Sequence, residues 1–214
     1  KLEYVDIFHL HGVHPKYFDY VRNDVVPALM KERDKGKFCH LGITELATED
    51  AGHDALIRFA EEDCFDVFMV AFHLMHQNAE KLLFPLTKKK GIGTLIMFAV
   101  RSIFSDVHYL ASKLKELADN GSLPGIYNEI AIFQDLLIGK GGAESIIDAA
   151  YRYARHEPGA NVVLLGTGNL EHLETNIKSI LRAPLKESAL KILEKDFSQL
   201  EGVGLDLPRG YREK

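Results

Sequence analysis

Five short apolar runs alternate with longer segments of helical periodicity, and this alternation constrains the chain more than any other feature. The runs are YVDIFHL (4–10), FCHLGI (38–43), FDVFMVAF (65–72), GTLIMFAV (93–100) and NVVLLG (161–166). Rich in Val, Ile, Leu and Phe and bounded by glycine or polar residues, they suit parallel strands buried on both faces. Helical spacing fills 18–35, 48–62, 78–90, 145–156 and 170–181, and an extra amphipathic helix is predicted over 185–197. Gly36 and Gly91 stand as C-terminal stops, while Thr48, followed by Glu49 and Asp50, has the pattern of an N-cap. The stretch 103–140 reads as a long loop.

Such βα rhythm gives either an open doubly wound sheet or a closed (β/α)8 barrel. An open dinucleotide-binding sheet wants a GxGxxG turn after its first strand, and HLHGVHP contains none. Barrel strands carry reactive side chains at their carboxyl ends, which is where His11, Thr44 and His73 fall. The expectation is a TIM-type α/β barrel forming one domain over 1–214. A full barrel has eight strands in about 250 residues, so five units make it incomplete by three.

Composition narrows the function. With 46% apolar residues the chain can bury a sizeable core, and a net charge of −5 offers no attraction to nucleic acid or an anionic membrane. Cys39 and Cys64, the two cysteines, lack metal-type spacing. No apolar run approaches the roughly 20 residues of a membrane span, and no signal-like start is present. Cytoplasmic small-molecule chemistry is the expectation.

The ordered motifs YVDIFHLHG, GKFCHLGIT, FDVFMVAFHLM, GIGTLIMFA and VVLLGTGNLEHLETNI resemble the fourth to eighth βα units of the aldo-keto reductases. NDVVPALMKERDKGKFCHLGIT is most similar to the branch containing L-galactose dehydrogenase and related sugar dehydrogenases. The resemblance implies NAD or NADP bound at the open end of a barrel. It also implies reduction of an aldehyde or ketone, or oxidation of a sugar hydroxyl, by a tetrad of Asp, Tyr, Lys and His. His11 matches the tetrad histidine, a donor beside the carbonyl oxygen on which charge accumulates as hydride arrives. His9 shares its strand face and is expected to be a satisfied layer residue inside the barrel.

The other three tetrad residues belong to the first three units and have no counterpart. Lys16, Tyr17, Asp19 and Tyr20 are the right types after the first strand, but they sit where a loop and helix start usually carry such residues. The chain as it stands is therefore expected to be catalytically crippled.

By the same resemblance Gly166, Thr167 and Asn169 approach the adenosine phosphate, with His172 and Asn176 near the ribose and adenine. A helix N-terminus suits an anion through its orphan N–H groups and dipole. His172 stands where many NADP-preferring members have arginine, which leans the reading towards NAD. Around the nicotinamide, Thr44 and Glu45 replace Ser-Asn, Met69 replaces glutamine, and Met97 takes the aromatic stacking position with Phe98 beside it.

Two other readings compete. His9 and His11 form an HxH that His14 or His73 could extend into the metal site of a hydrolase. His40, His53, His76, His108 and His156 read as surface or loop residues. Alternatively, the chain is a non-catalytic fragment with residual nucleotide binding, whose raw sheet edges favour self-association.

Overall fold

The computed structural model describes residues 2–206. Its centre is one parallel sheet, β1 (Val5–Val13), β2 (Phe38–Glu45), β3 (Val67–Ala71), β4 (Gly93–Met97) and β5 (Val162–Val163), in that spatial order. The sheet is not closed, so the described residues form five βα units of an incomplete barrel, as expected from the sequence.

The two faces of the sheet differ. Ladder register puts His9, Gly42, Thr44, Val67, Met69, Leu95 and Met97 on one face, the inner face of the barrel. Leu41, Ile43, Phe68, Val70 and Ile96 lie on the other and are fully buried under the helices. Each such side chain contributes about 1.5–3 kcal/mol by leaving water. Val67, Met69, Leu95 and Met97 are only half-buried. The outer layer is thus complete while the inner one is partly uncovered.

The helical segments follow the sequence with instructive departures. The expected 18–35 helix runs through a π-turn, Val21–Val25, before Val26–Asp34. The 78–90 segment divides into Ala79–Leu82 and Phe84–Lys90 and ends at Gly91 with φ +69°. Thr48 does not cap its helix. The segment shortens to Asp54–Ala60, because Asp50 accepts the N–H groups of Asp54 and Ala55 and His53 takes a left-handed φ of +61°. Leu170–Leu181 is helical as read, and the final helix is Glu187–Phe197.

The 103–140 loop reading is corrected. It contains a 13-residue helix, Val107–Asp119, capped by the Asp106 carboxylate and burying Leu110, Leu114 and Leu117. These leucines at i, i+4 and i+7 seal a second core with Phe133, Phe197 and Leu193.

β5 is shorter than expected, pairing only through Val162 and Val163, because its outer side has no neighbouring strand among the described residues. Its entry is pinned instead by side chains: Asn161 Oδ1 accepts Thr94 N–H at 2.8 Å, and Thr94 Oγ1 accepts Asn161 N–H at 3.0 Å. No helix of the described residues is long and apolar enough to cross a membrane.

Candidate active site

Because every strand is parallel to its neighbours, all the carboxyl ends open on one rim, the catalytic rim of this architecture. His11 stands on that rim inside β1, with its side chain exposed. The next residue, Gly12, turns with φ +61° and donates its N–H to Thr44 Oγ1 at 2.6 Å. Thr44 is buried, so this hydroxyl ties the His11 turn to the end of β2.

Glu45, the second departure from the expected Ser-Asn pair, points away from the rim into the protein. Its carboxylate accepts Ala71 N–H at 2.6 Å and lies 2.7 Å from His53 Nδ1, with neither side chain exposed. Burial raises the Glu45 pKa, and His53 opposes that rise. For His53 burial disfavours the imidazolium, but the Glu45 charge and the hydrogen bonds of Glu45 and Asn78 outweigh it and raise its pKa. Glu45 is a wall residue, and a carboxamide in the groove would receive no contact from it.

His53 and His76, expected at the surface, are completely buried. His76 Nδ1 accepts Gly202 N–H at 3.2 Å, and His73 Nδ1 accepts Met75 N–H at 3.2 Å. Burial drives both imidazoles towards the neutral form, with His73 lowered to about 3 and His76 to about 2.

His9 also departs from expectation. Both its ring nitrogens are buried without a hydrogen-bond partner among the described residues, so it is not a layer residue satisfied by them. Its ring lies across Gly42, where a Cβ would stand 2.4 Å from it. Burial lowers its pKa. Among the described residues no three His, Cys, Asp or Glu side chains group as a metal site, so the HxH gains no third ligand. His14 pairs with Glu49 at 3.6 Å. Tyr17 and Tyr20 are more than half exposed, and Asp19 faces Arg58 at 4.0 Å.

Most of the residues expected to border an adenosine phosphate, ribose and adenine converge. A cleft of about 610 Å3 lies between the segment after β4 and the start of the Leu170–Leu181 helix, and Gly166, Thr167, His172 and Asn176 all line it. Asn169 sits behind them as the helix N-cap, accepting Glu171 N–H at 2.8 Å and His172 N–H at 3.2 Å. Thr167 Oγ1 accepts Asn169 N–H at 3.1 Å and fixes the turn. Two helix-start amides are therefore already engaged, and the cap shapes the cleft more than it offers donors.

Sequence reasoning missed the opposite wall. Arg101, Ser102, Ser105, Ser145 and Tyr151 supply a guanidinium and hydroxyls facing the predicted residues. Only the AVRS run after β4 could have signalled it. Met97 ends β4 half-buried, and Phe98 follows with φ +68°, an uncommon conformation for a bulky side chain. The Arg101 guanidinium lies 3.9 Å from the Phe98 ring centroid, within cation–π range. A guanidinium, hydroxyls, an imidazole and an amide around one cleft fit the phosphates and ribose of a dinucleotide. Where the resemblance implies a nicotinamide, Thr44, Glu45 and Met69 offer a poorer fit.

Comparisons with known proteins agree with this architecture. L-galactose dehydrogenase of Arabidopsis thaliana is 29% identical over 96 residues, 44% of this chain and 30% of that protein. Aldo-keto reductase AKR11C1 from Bacillus halodurans, in its holo form, superposes with a TM-score of 0.63 at 17% identity, over 90% of this chain and 61% of its own. An aldo/keto reductase from Klebsiella pneumoniae, solved with NADP and acetate, gives 0.61 at 19%, over 90% and 59%. The chain thus spans about a third of that curated relative and about three fifths of the solved structures. A family model described as "Aldo/keto reductase family" matches residues 1–195, and the chain belongs to that family.

Proposed function

We propose that this chain, as one partial barrel domain over 1–214, carries the nucleotide-binding side of an NAD(P)-dependent oxidoreductase acting on an aldehyde, ketone or sugar hydroxyl. The observation that carries the reading is the cleft that brings Arg101, Thr167, His172 and Asn176 together on the rim that also bears His11. A bound NAD(P)H would supply hydride. Gly166, Thr167 and Asn169 would shape the phosphate end, His172 and Asn176 would border the ribose and adenine, and Thr44, Met97 and Phe98 would border the nicotinamide. His11 would donate a hydrogen bond to the substrate oxygen.

Binding without efficient turnover is the expected behaviour, because Asp, Tyr and Lys partners for His11 are not assembled on the described rim. The NADP complex of the Klebsiella protein favours an NAD(P) ligand, and His172 in place of arginine favours acceptance of NAD. Titration with NADPH and NADH, followed by nicotinamide fluorescence, tests this. Saturable one-to-one binding with little aldehyde reduction is expected, and absence of saturation with both nucleotides contradicts it.

We also infer a cytoplasmic location and self-association through the β1 edge, where Val5, Ile7 and Phe8 are 37–39% exposed. Light scattering across a concentration series should show mass rising above the 24.1 kDa chain.

A further inference from the structure

The segment 201–206 crosses the same rim and packs on residues assigned above to the nicotinamide. Leu205 is buried in a small cluster with Ala47 and Ala71, against which Met97 and Phe98 pack. Gly202, with φ +70°, donates its N–H to the buried His76 Nδ1. Gly204, with φ +74°, passes so near Ile103 that a Cβ would lie 2.7 Å from it. Arg101 then grips the strap at Leu205 and Asp206. Its Nη2 donates to the carbonyl oxygens of Leu205 and Asp206, while the Tyr109 hydroxyl donates to the Asp206 carboxylate.

Arg101 therefore faces two ways. Its guanidinium holds the strap and stacks on Phe98, yet the same side chain lines the cleft with Thr167 and His172. Charge-assisted, bidentate bonds from a guanidinium to a pyrophosphate are a stronger class than its bonds to neutral carbonyls such as those of Leu205 and Asp206. Leu205 meanwhile covers Met97 and Phe98, which a nicotinamide ring would have to reach.

We propose that 201–206 is a built-in cover over the nicotinamide end of the groove, and that a dinucleotide displaces it as Arg101 exchanges the strap carbonyls for the ligand's pyrophosphate. The inference rests on the nucleotide-binding reading above. It makes the binding-competent state a minor one, so apparent affinity is lowered by the fraction of molecules with the strap lifted.

The test uses the full chain and NADP+. Gly202→Pro removes the N–H given to His76 and cannot adopt the left-handed φ; Leu205→Asp unseats the plug without touching the cleft. Both variants are expected to bind NADP+ about five- to tenfold more tightly, the gain from contacts that need not be broken first. In the unaltered chain, NADP+ should speed amide hydrogen exchange across 201–206 while slowing it at 166–176. Unchanged or weaker binding in both variants, or a strap protected by NADP+, overturns the cover but leaves nucleotide binding intact. Failure of all three proteins to bind overturns both.

Discussion

Thr44 Oγ1 accepts the N–H of Gly12 at 2.6 Å, so the residue following His11 is held by the end of the neighbouring strand. Gly12 needs its left-handed φ of +61° to make that turn. Thr44→Val keeps the shape and removes the acceptor, leaving a part-buried N–H unpaired. A loss of about 1–3 kcal/mol in urea unfolding is expected, with Thr44→Ser close to the parent.

Glu45 and His53 form a fully buried pair at 2.7 Å. Removing one member strands the other, so His53→Leu should cost about 3–5 kcal/mol. Glu45→Gln, which can still accept from Ala71 N–H, should cost less. Denaturant melts of the two variants at one pH provide the comparison.

Acid stability should follow His73 and His76. Their folded pKa values, about 3 and about 2, lie below the ordinary 6.5. The unfolded chain then takes up protons that the folded one refuses. Their contribution is complete above pH 6.5 and falls between 6.5 and about 3, by ~1.4 kcal/mol per pH unit for each group. Glu45 and His53 are raised, and their contribution is instead lost as pH climbs, which opposes the acid effect of the two histidines. Unfolding free energies from pH 7 to 4.5 should decline. His76→Gln, which keeps an acceptor for Gly202, should flatten the slope by about one histidine's share.

Asn169→Ala should destabilise the chain by about 1 kcal/mol, because the Oδ1 that caps two N–H groups is lost. Asn169→Asp should restore stability through the same cap but weaken NADP+ binding, since it would set a carboxylate near the proposed phosphate position. Thermal melts and NADP+ titration of the pair separate the two effects.

Most residues with local roles were legible in the sequence, Thr48 excepted, and those whose roles depend on distant packing were not. Gly91 and Asn169 announce a helix end and a helix start by residue type alone, and both perform those roles. The apolar runs gave all five strands because parallel strands in this position must be apolar on the helix-facing side. His53 and His76 read as surface residues because nothing nearby in sequence reveals Glu45 or Gly202 as their partners, the latter 126 positions away. Val107–Asp119 has leucines at helical spacing, but its place between two barrel strands makes the stretch read as a loop. Arg101 escaped because its importance comes from a strap and a cleft that only the folded chain assembles.

The most direct measurement follows backbone amide resonances during an NADP+ titration. Gly166, Thr167, Asn169 and His172 should shift together along a single saturable curve, while Gly36 and Gly91 on the opposite rim stay in place. Saturable shifts at Gly36 and Gly91 with a silent 166–172 turn, or no saturable shift with NADP+ or NAD+, would contradict a nucleotide groove at the carboxyl ends of these strands.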